Sequence, residues 1–182
     1  MSCGCNSTTS PSANKAAITL KVDFLFLDDS VCVPCGSTAR NLSEAVDMLM
    51  SPLDAMGINL SVEKIHVTDQ KVAAENEFLT SPTIRVNGRD VDPARTEDDC
   101  ATCADLAGGA TPVKCRNWNW HGNVYQAAPV GKVVGAIMEE ALNLTKDKEG
   151  CCVGNEEGQA YALPDNLRQF FVARERNEKL CC

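Results

Sequence analysis

The sequence predicts an α/β domain in which a mixed sheet is flanked by helices, and three observations support this class. A strongly apolar run at residues 17–27 is typical of a buried strand. Residues 36–50 then place apolar side chains such as Leu42 and Leu49 on one helical face, and residues 58–68 alternate as a second strand does. A strand, a helix and a parallel strand in this order form a right-handed crossover unit.

The remaining elements of the domain follow the crossover. Residues 69–78 are predicted as a short helix. Asn87-Gly88 is a strong turn signal, and it joins two β-branched segments at residues 83–86 and 89–91 into a hairpin. A further helix begins at Pro129, and its apolar face is expected to close the core.

The chain divides into a domain with two appendages. Residues 1–16 form a polar leader with a Cys-Gly-Cys motif, and residues 17–144 form the α/β domain. Residues 145–182 form a cysteine-rich extension with one helix that begins at Pro164. At 182 residues the chain is long enough to bury a core of its own.

An insertion at residues 92–128 separates the first hairpin from the last helix of the domain. Within it, residues 113–118 and 123–127 are predicted to form a second hairpin that turns at His121-Gly122. The insertion also carries three cysteines, Cys100, Cys103 and Cys115.

Charge and composition exclude several classes of partner. The net charge of −8 argues against nucleic acid and anionic membranes as partners, and no run is long enough to span a membrane. The first residues lack a basic start and an apolar signal core, so we expect a cytoplasmic protein.

Cysteine usage is the unusual feature of the composition. There are eleven cysteines, and in a reducing compartment they indicate redox exchange or soft-metal binding rather than a disulfide framework. All but Cys115 occur in closely spaced pairs, which are Cys3/Cys5, Cys32/Cys35, Cys100/Cys103, Cys151/Cys152 and Cys181/Cys182.

The pair in Cys32-Val33-Pro34-Cys35 lies where the first strand gives way to the first helix. There the first thiol can stand near the helix N-terminus, which favours the thiolate, and the second can attack a mixed disulfide formed at the first. A Cys-x-x-Cys motif is equally compatible with half of a zinc site.

Ser81-Pro82-Thr83, before the third strand, distinguishes these alternatives. Together with the motif at Cys32 and Cys35 it resembles the thioredoxin superfamily. The resemblance implies a thioredoxin-like fold, a cis Pro82 that faces the dithiol, and thiol–disulfide exchange. Cys32, Cys35 and Pro82 would be the catalytic residues, with no cofactor required. The partners would be a protein or small-molecule disulfide and a reductant.

A narrower resemblance covers residues 17–144. The Cys-x-Pro-Cys-Gly motif, the run from Ser81 to Val91 and the cysteines of the insertion are similar to a poorly characterised prokaryotic family of thioredoxin-like proteins. That family is catalogued as a domain of unknown function. The resemblance implies a fold and a thiol chemistry but no particular substrate.

The cysteines of the insertion leave two metal sites open. Cys100, Cys103 and Cys115 could bind zinc with His121 as the fourth ligand. Alternatively, the three thiolates alone could hold arsenite or mercury, and His121 would then be a surface residue.

The adjacent cysteines of the extension, Cys151/Cys152 and Cys181/Cys182, also suggest soft-metal binding, because two adjacent thiolates bind a soft cation well. Cys181 and Cys182 resemble the C-terminal dithiol of mercuric reductases, although the remainder of that enzyme is absent from this chain. The candidate metal residues are therefore Cys100, Cys103, Cys115, Cys151, Cys152, Cys181 and Cys182.

Two functional hypotheses follow. The first is a thiol–disulfide oxidoreductase whose dithiol is coupled to the handling of mercury or arsenic. The second is a non-catalytic carrier or sensor of heavy metals, in which Cys32 and Cys35 are one binding station among several. Reduction of insulin or of a disulfide dye would distinguish them, because a carrier would be inert in that assay.

Overall fold

A computed structural model describes residues 18–109, 111–146 and 162–180. The leader at residues 1–16 lies outside the described residues, as do the pairs Cys151/Cys152 and Cys181/Cys182.

The central sheet has four strands in the order β2-β1-β3-β4. β2 runs parallel to β1, whereas β3 pairs antiparallel with both β1 and β4, so the sheet is mixed as predicted. Two small two-stranded sheets, β5-β6 and β7-β8, lie in the insertion. The elements are β1 (Ile18–Phe26), α1 (Val33–Ala55), β2 (Ile58–His66), α2 (Gln70–Glu75), β3 (Thr83–Val86), β4 (Arg89–Asp90), β5 (Glu97–Asp99), α3 (Ala101–Leu106), β6 (Lys114–Arg116), β7 (Trp118–Trp120), β8 (Asn123–Tyr125), α4 (Val130–Thr145) and α5 (Asp165–Leu180).

Helices pack on this sheet and enclose the core. α1 and α4 contact each other, and α4 also contacts β1 and β3. The apolar faces of these helices are buried, at Leu42 and Leu49 in α1 and at Val133 and Ile137 in α4. The prediction of an α/β fold with a mixed sheet flanked by helices is confirmed, and the architecture is compatible with a thioredoxin-like fold.

The helix predicted in the extension is also present. α5 begins directly after Pro164 and packs against α2. Leu167, Phe170 and Phe171 on α5 are fully or almost fully buried. This part of the extension is therefore packed against the domain.

The first helix begins earlier than predicted, at Val33 instead of Gly36. Proline is tolerated in the first turn because the N–H groups there have no partner within the helix. As a result, Cys32 is the N-cap residue of α1, and its carbonyl accepts a hydrogen bond of 2.9 Å from the N–H of Gly36. Cys35 lies in the first turn.

The prediction for the second hairpin was wrong in one strand. β7 and β8 do turn at His121-Gly122, but β6 pairs with β5, which the sequence did not reveal. β5 is formed by Glu97-Asp98-Asp99 and has no apolar residue to signal a strand. Polar contacts hold it instead, including a 2.6 Å hydrogen bond from the Asn117 amide to the Asp98 carboxylate. α3 was not predicted either.

Among the described residues, no helix combines the length and apolar character that crossing a bilayer requires.

Candidate metal and thiol site

The loop between β1 and α1 presents Cys32 at the end of the sheet. The carboxylate of Asp28 accepts hydrogen bonds from the N–H groups of Ser30 and Val31, at 2.8 and 2.9 Å. These bonds form a local turn of the kind that aspartate favours. The turn leads the chain into α1, so that Cys32 and Cys35 both lie at the helix N-terminus.

The loop before β3 meets the dithiol from the other side. The Ser81–Pro82 peptide bond is cis, as the resemblance to thioredoxins implied. The hydroxyl of Ser81 lies 3.4 Å from the sulfur of Cys35 and accepts a hydrogen bond of 3.1 Å from the N–H of Leu27. The Ser81-Pro82 segment is therefore next to the dithiol, at the end of β1.

The insertion folds back onto the Ser81-Pro82 segment and the dithiol. The N–H of Arg116 donates a hydrogen bond of 2.7 Å to the carbonyl of Ser81, which brings the neighbouring Cys115 to the dithiol. Cys100 is the N-cap residue of α3, and its N–H donates to the carbonyl of Val113 at 2.8 Å. Cys103 lies in the first turn of α3, three residues after Cys100.

Four sulfur atoms meet as a result. Those of Cys32, Cys100, Cys103 and Cys115 all lie within 4.8 Å of one another, and all four residues are buried. The sulfur of Cys103 is 3.4 Å from that of Cys32 and 3.4 Å from that of Cys115, and the sulfurs of Cys32 and Cys115 are 3.9 Å apart. We call these residues the four-cysteine cluster. Such a cluster could hold a metal ion.

The structure distinguishes the two alternatives for His121. This residue is exposed in the β7–β8 turn and is not part of the cluster, and the fourth sulfur of the cluster is that of Cys32. Cys35 is fully buried but is not a member of the cluster. Cys151, Cys152, Cys181 and Cys182 lie outside the described residues, so their assignment as metal residues stays a prediction.

Two cysteines of the cluster lie slightly closer to solvent than the other two. Cys32 and Cys103 are 1% and 0% exposed, whereas Cys100 and Cys115 are 8% and 5% exposed. Cys100 and Cys115 also line a cavity of about 180 Å³ together with Val33, Asp98 and other residues. A small ion or molecule in this cavity would therefore meet Cys100 and Cys115 first.

The thiols of the cluster perturb one another's ionisation. Hydrogen bonds with Cys100, Cys103 and Cys115 lower the pKa of Cys32, and hydrogen bonds with Cys103 and Cys115 lower the pKa of Cys100 to about 7. The pKa values of Cys103 and Cys115 are raised, chiefly by their hydrogen bonds to other cysteines of the cluster. Two thiols thus ionise readily, and the charge they carry opposes ionisation of the other two unless a cation is present.

The pKa values of Cys32 and Cys35 are also shifted in opposite directions. Hydrogen bonding to Cys32 and burial raise the pKa of Cys35, while that of Cys32 is lowered. We expected a depressed pKa at Cys32 from the helix N-terminus. The direction agrees, but the principal cause is the thiols of the insertion.

Sequence reasoning missed two parts of the site. One is the membership of Cys32 in the cluster. An available signal was that the insertion has three cysteines and a four-thiolate site needs one more. The other is the buried Arg116, whose guanidinium donates to both carboxylate oxygens of Asp90, at 2.8 and 3.1 Å. No motif marked this pair.

Comparison with known proteins identifies a family but no activity. The profile of a family described as "Domain of unknown function (DUF2703)" matches residues 20–137, which include Cys32, Cys35 and the three cysteines of the insertion. No curated protein and no solved structure matches the chain.

Proposed function

Because the chain belongs to the DUF2703 family, which is described as a domain of unknown function, we propose a function from the site itself: the protein binds a soft divalent metal ion through the thiolates of Cys32, Cys100, Cys103 and Cys115. The observation that carries the proposal is the meeting of four buried sulfurs, from three separate parts of the chain, within 4.8 Å of one another.

The spacing of the sulfurs favours zinc among the metals considered. Four thiolates at about 2.3 Å from a zinc ion in tetrahedral geometry lie about 3.8 Å from one another. The sulfur–sulfur distances among Cys32, Cys103 and Cys115, 3.4, 3.4 and 3.9 Å, lie close to that value, and the sulfur of Cys100 lies within 4.8 Å of all three. A three-thiolate site for arsenite would leave the fourth sulfur unused.

Ionisation supports the same proposal. Metal binding requires deprotonated thiols, and a divalent cation would stabilise the thiolate forms of Cys103 and Cys115, whose pKa values are raised chiefly by hydrogen bonds within the cluster. When bound, zinc would be held by four thiolates with no open position, which is the arrangement of structural and storage sites rather than of catalytic ones.

The test compares two equally buried cysteines. Cys103 belongs to the cluster and Cys35 does not, and both are 0% exposed, so replacement by serine disturbs packing similarly. Native mass spectrometry and zinc titration of the reduced protein should show that Cys103→Ser loses one metal ion relative to the wild type. Cys35→Ser should retain it, and so should His121→Ala.

The opposite pattern would contradict the proposal. If Cys103→Ser binds as many zinc ions as the wild type, with the same affinities, the four-cysteine cluster is not the metal site. Binding confined to the cysteines of the leader or the extension would give that result. Substitution of zinc by cobalt(II) gives a second measurement, because cobalt–thiolate charge-transfer bands report the sulfur ligands directly.

Thiol–disulfide exchange is a second candidate for the metal-free protein. Its support is the asymmetry between the two thiols at the N-terminus of α1: the pKa of Cys32 is lowered and that of Cys35 is raised. Cys32 would attack a disulfide and Cys35 would resolve the mixed disulfide, with an external reductant regenerating the dithiol. Coupling to mercury or arsenite through the vicinal cysteines belongs to this candidate.

This second candidate has its own assay. We expect the metal-free protein to accelerate insulin reduction by a thiol reductant, and Cys32→Ser to abolish the acceleration. Cys35→Ser should accumulate a mixed disulfide at Cys32, which peptide mass spectrometry would locate. Acceleration that survives in Cys32→Ser would exclude the assigned role of Cys32.

A further inference from the structure

Cys32 belongs both to the four-cysteine cluster and to the Cys32/Cys35 pair at the start of α1. Its sulfur is part of the four-cysteine cluster, 3.4 Å from that of Cys103. Cys32 is also the N-cap residue of α1, and Cys35 follows it by three residues in the first turn of the same helix. Cys35 is the described cysteine that the cluster leaves out, and its sulfur is held 3.4 Å from the Ser81 hydroxyl.

The two uses of Cys32 exclude each other. A thiolate is the form of cysteine that binds a metal ion, and a sulfur in a disulfide no longer carries that charge. A disulfide between Cys32 and Cys35 would therefore leave three ligands, Cys100, Cys103 and Cys115. α1 places Cys35, the partner of Cys32 in such a disulfide, beside the cluster but not in it.

We propose that the metal site is redox-regulated: formation of the Cys32–Cys35 disulfide removes one of the four ligands and weakens metal binding, and bound metal opposes formation of that disulfide. This inference rests on the proposed function, since it requires that the cluster binds the metal.

The reaction needs a disulfide oxidant, for which glutathione disulfide is the probe. The Cys32 thiolate attacks one sulfur of the oxidant, and a Cys32–glutathione disulfide and one glutathione thiolate form. Cys35 gives its proton to that thiolate and attacks the Cys32 sulfur, which expels the second glutathione as a thiolate. One disulfide is reduced to two thiols, and two protein thiols are oxidised to one disulfide.

Thermodynamic linkage makes the effect reciprocal. If the disulfide weakens zinc binding by a given factor, saturating zinc shifts the equilibrium from disulfide to dithiol by the same factor. The loss of one ligand in four should give a factor of about 100, in the upper part of the range for coupled sites.

The chain offers a direct way to measure this equilibrium. Trypsin cleaves after Lys21 and Arg40, and the peptide of residues 22–40 contains only two cysteines, Cys32 and Cys35. The full-length protein would be equilibrated in glutathione buffers of graded ratio, with and without zinc held at a fixed free concentration by a chelator. After acid quenching, alkylation and digestion, mass spectrometry gives the fraction of this peptide that carries the internal disulfide.

In the wild type, we expect zinc to raise about 100-fold the ratio of oxidised to reduced glutathione at which half of the protein carries the Cys32–Cys35 disulfide. In Cys103→Ser, which keeps the dithiol but lacks one ligand of the cluster, the midpoint should be almost independent of zinc. Cys100→Ser should behave in the same way and replaces the first variant if Cys103→Ser does not fold, because Cys100 is the more exposed of the two at 8%.

The outcomes separate the two claims. If native mass spectrometry shows zinc lost with Cys103→Ser but the wild-type midpoint does not move with zinc, the proposed metal site stands and the redox regulation is wrong. If the wild type and Cys103→Ser bind zinc alike, the metal site itself is wrong and the inference falls with it. A zinc-dependent shift of equal size in both proteins would also overturn it.

Discussion

At the scale of single residues, Ser81 joins three parts of the molecule. Its hydroxyl contacts the Leu27 N–H and the Cys35 sulfur, and its carbonyl accepts from the Arg116 N–H. Ser81 is completely buried, so each of these polar groups is satisfied inside the protein. One small residue thereby connects the end of β1, the start of α1 and the insertion.

Gly36 has a comparable role in packing. A Cβ atom at this position would lie 2.7 Å from the carbonyl oxygen of Asp29, closer than carbon and oxygen normally approach. The absent side chain lets the first turn of α1 pack directly on the loop that leads to Cys32. The position of the dithiol therefore depends on glycine here.

The Gly36→Ala variant should be destabilised. Alanine gains about 0.5–1 kcal/mol over glycine in a helix interior, but overpacking against rigid backbone costs about 1–3 kcal/mol. We expect a net loss of about 1 kcal/mol, within a range of about 0–2.5 kcal/mol, in the free energy of unfolding, measured by urea denaturation.

Gly135→Ala is the matched control for that measurement. Gly135 lies in α4, and apart from its chain neighbours and the nearby helix backbone, no atom of the described residues lies within 4 Å of a Cβ built there. This variant should gain about 0.5–1 kcal/mol from helix propensity alone. If both variants change stability equally, the close approach at Gly36 has no energetic consequence.

At the scale of elements, the insertion supplies three cysteines of the four-cysteine cluster but has few contacts of its own to stabilise it. β5 and β6 pair over only three residues each, and α3 is six residues long. An isolated pair of short strands is marginally stable at best in water. The insertion must therefore be fixed by contacts with the domain.

Arg116 provides such contacts from the end of β6. Its guanidinium is fully buried and donates to both carboxylate oxygens of Asp90 in β4, to the Thr83 hydroxyl and to the Asp92 carbonyl. It also lies over the ring of Trp118, 4.5 Å from the ring centroid. Since Cys115 precedes Arg116, these contacts hold one cysteine of the cluster in place.

Arg116→Lys should loosen the insertion while keeping the charge. Lysine cannot reproduce the two parallel hydrogen bonds to Asp90, and buried acceptors would lose their donors at a cost of about 1–3 kcal/mol. We expect that loss in urea denaturation, together with weaker zinc binding by the four-cysteine cluster.

The control for this substitution is Arg168→Lys on α5. Arg168 pairs with Asp165, and both side chains are more than half exposed, at 55% and 84%. Exposed pairs contribute about 0–1 kcal/mol, so this change should be nearly neutral in stability and in zinc affinity. Equal effects of the two substitutions would show that Arg116 has no special role.

At the scale of the whole molecule, local patterns in the sequence predicted most of the fold. The strands of the central sheet follow from apolar alternation, and the β3–β4 hairpin follows from Asn87-Gly88. α4 and α5 follow from a proline before an apolar helical face. These features depend on a few neighbouring residues, so they can be found without the tertiary structure. β5, α3 and the pairing of β6 with β5 were not predicted, because they are held by polar contacts between residues that are distant in the sequence.

The candidate site divides in the same way. The motif at Cys32 and Cys35 and the cysteines of the insertion are local patterns, so the sequence alone identified the residues from which the candidate site is built. Only the tertiary structure decided that Cys32 joins Cys100, Cys103 and Cys115, while Cys35 and His121 do not. That choice depends on long-range contacts of the insertion, such as the hydrogen bonds from the Arg116 N–H to the Ser81 carbonyl and from the Arg116 guanidinium to Asp90, between residues that no local pattern relates. Sequence spacing limits which cysteines can meet, but packing of the insertion against the domain determines which of them do.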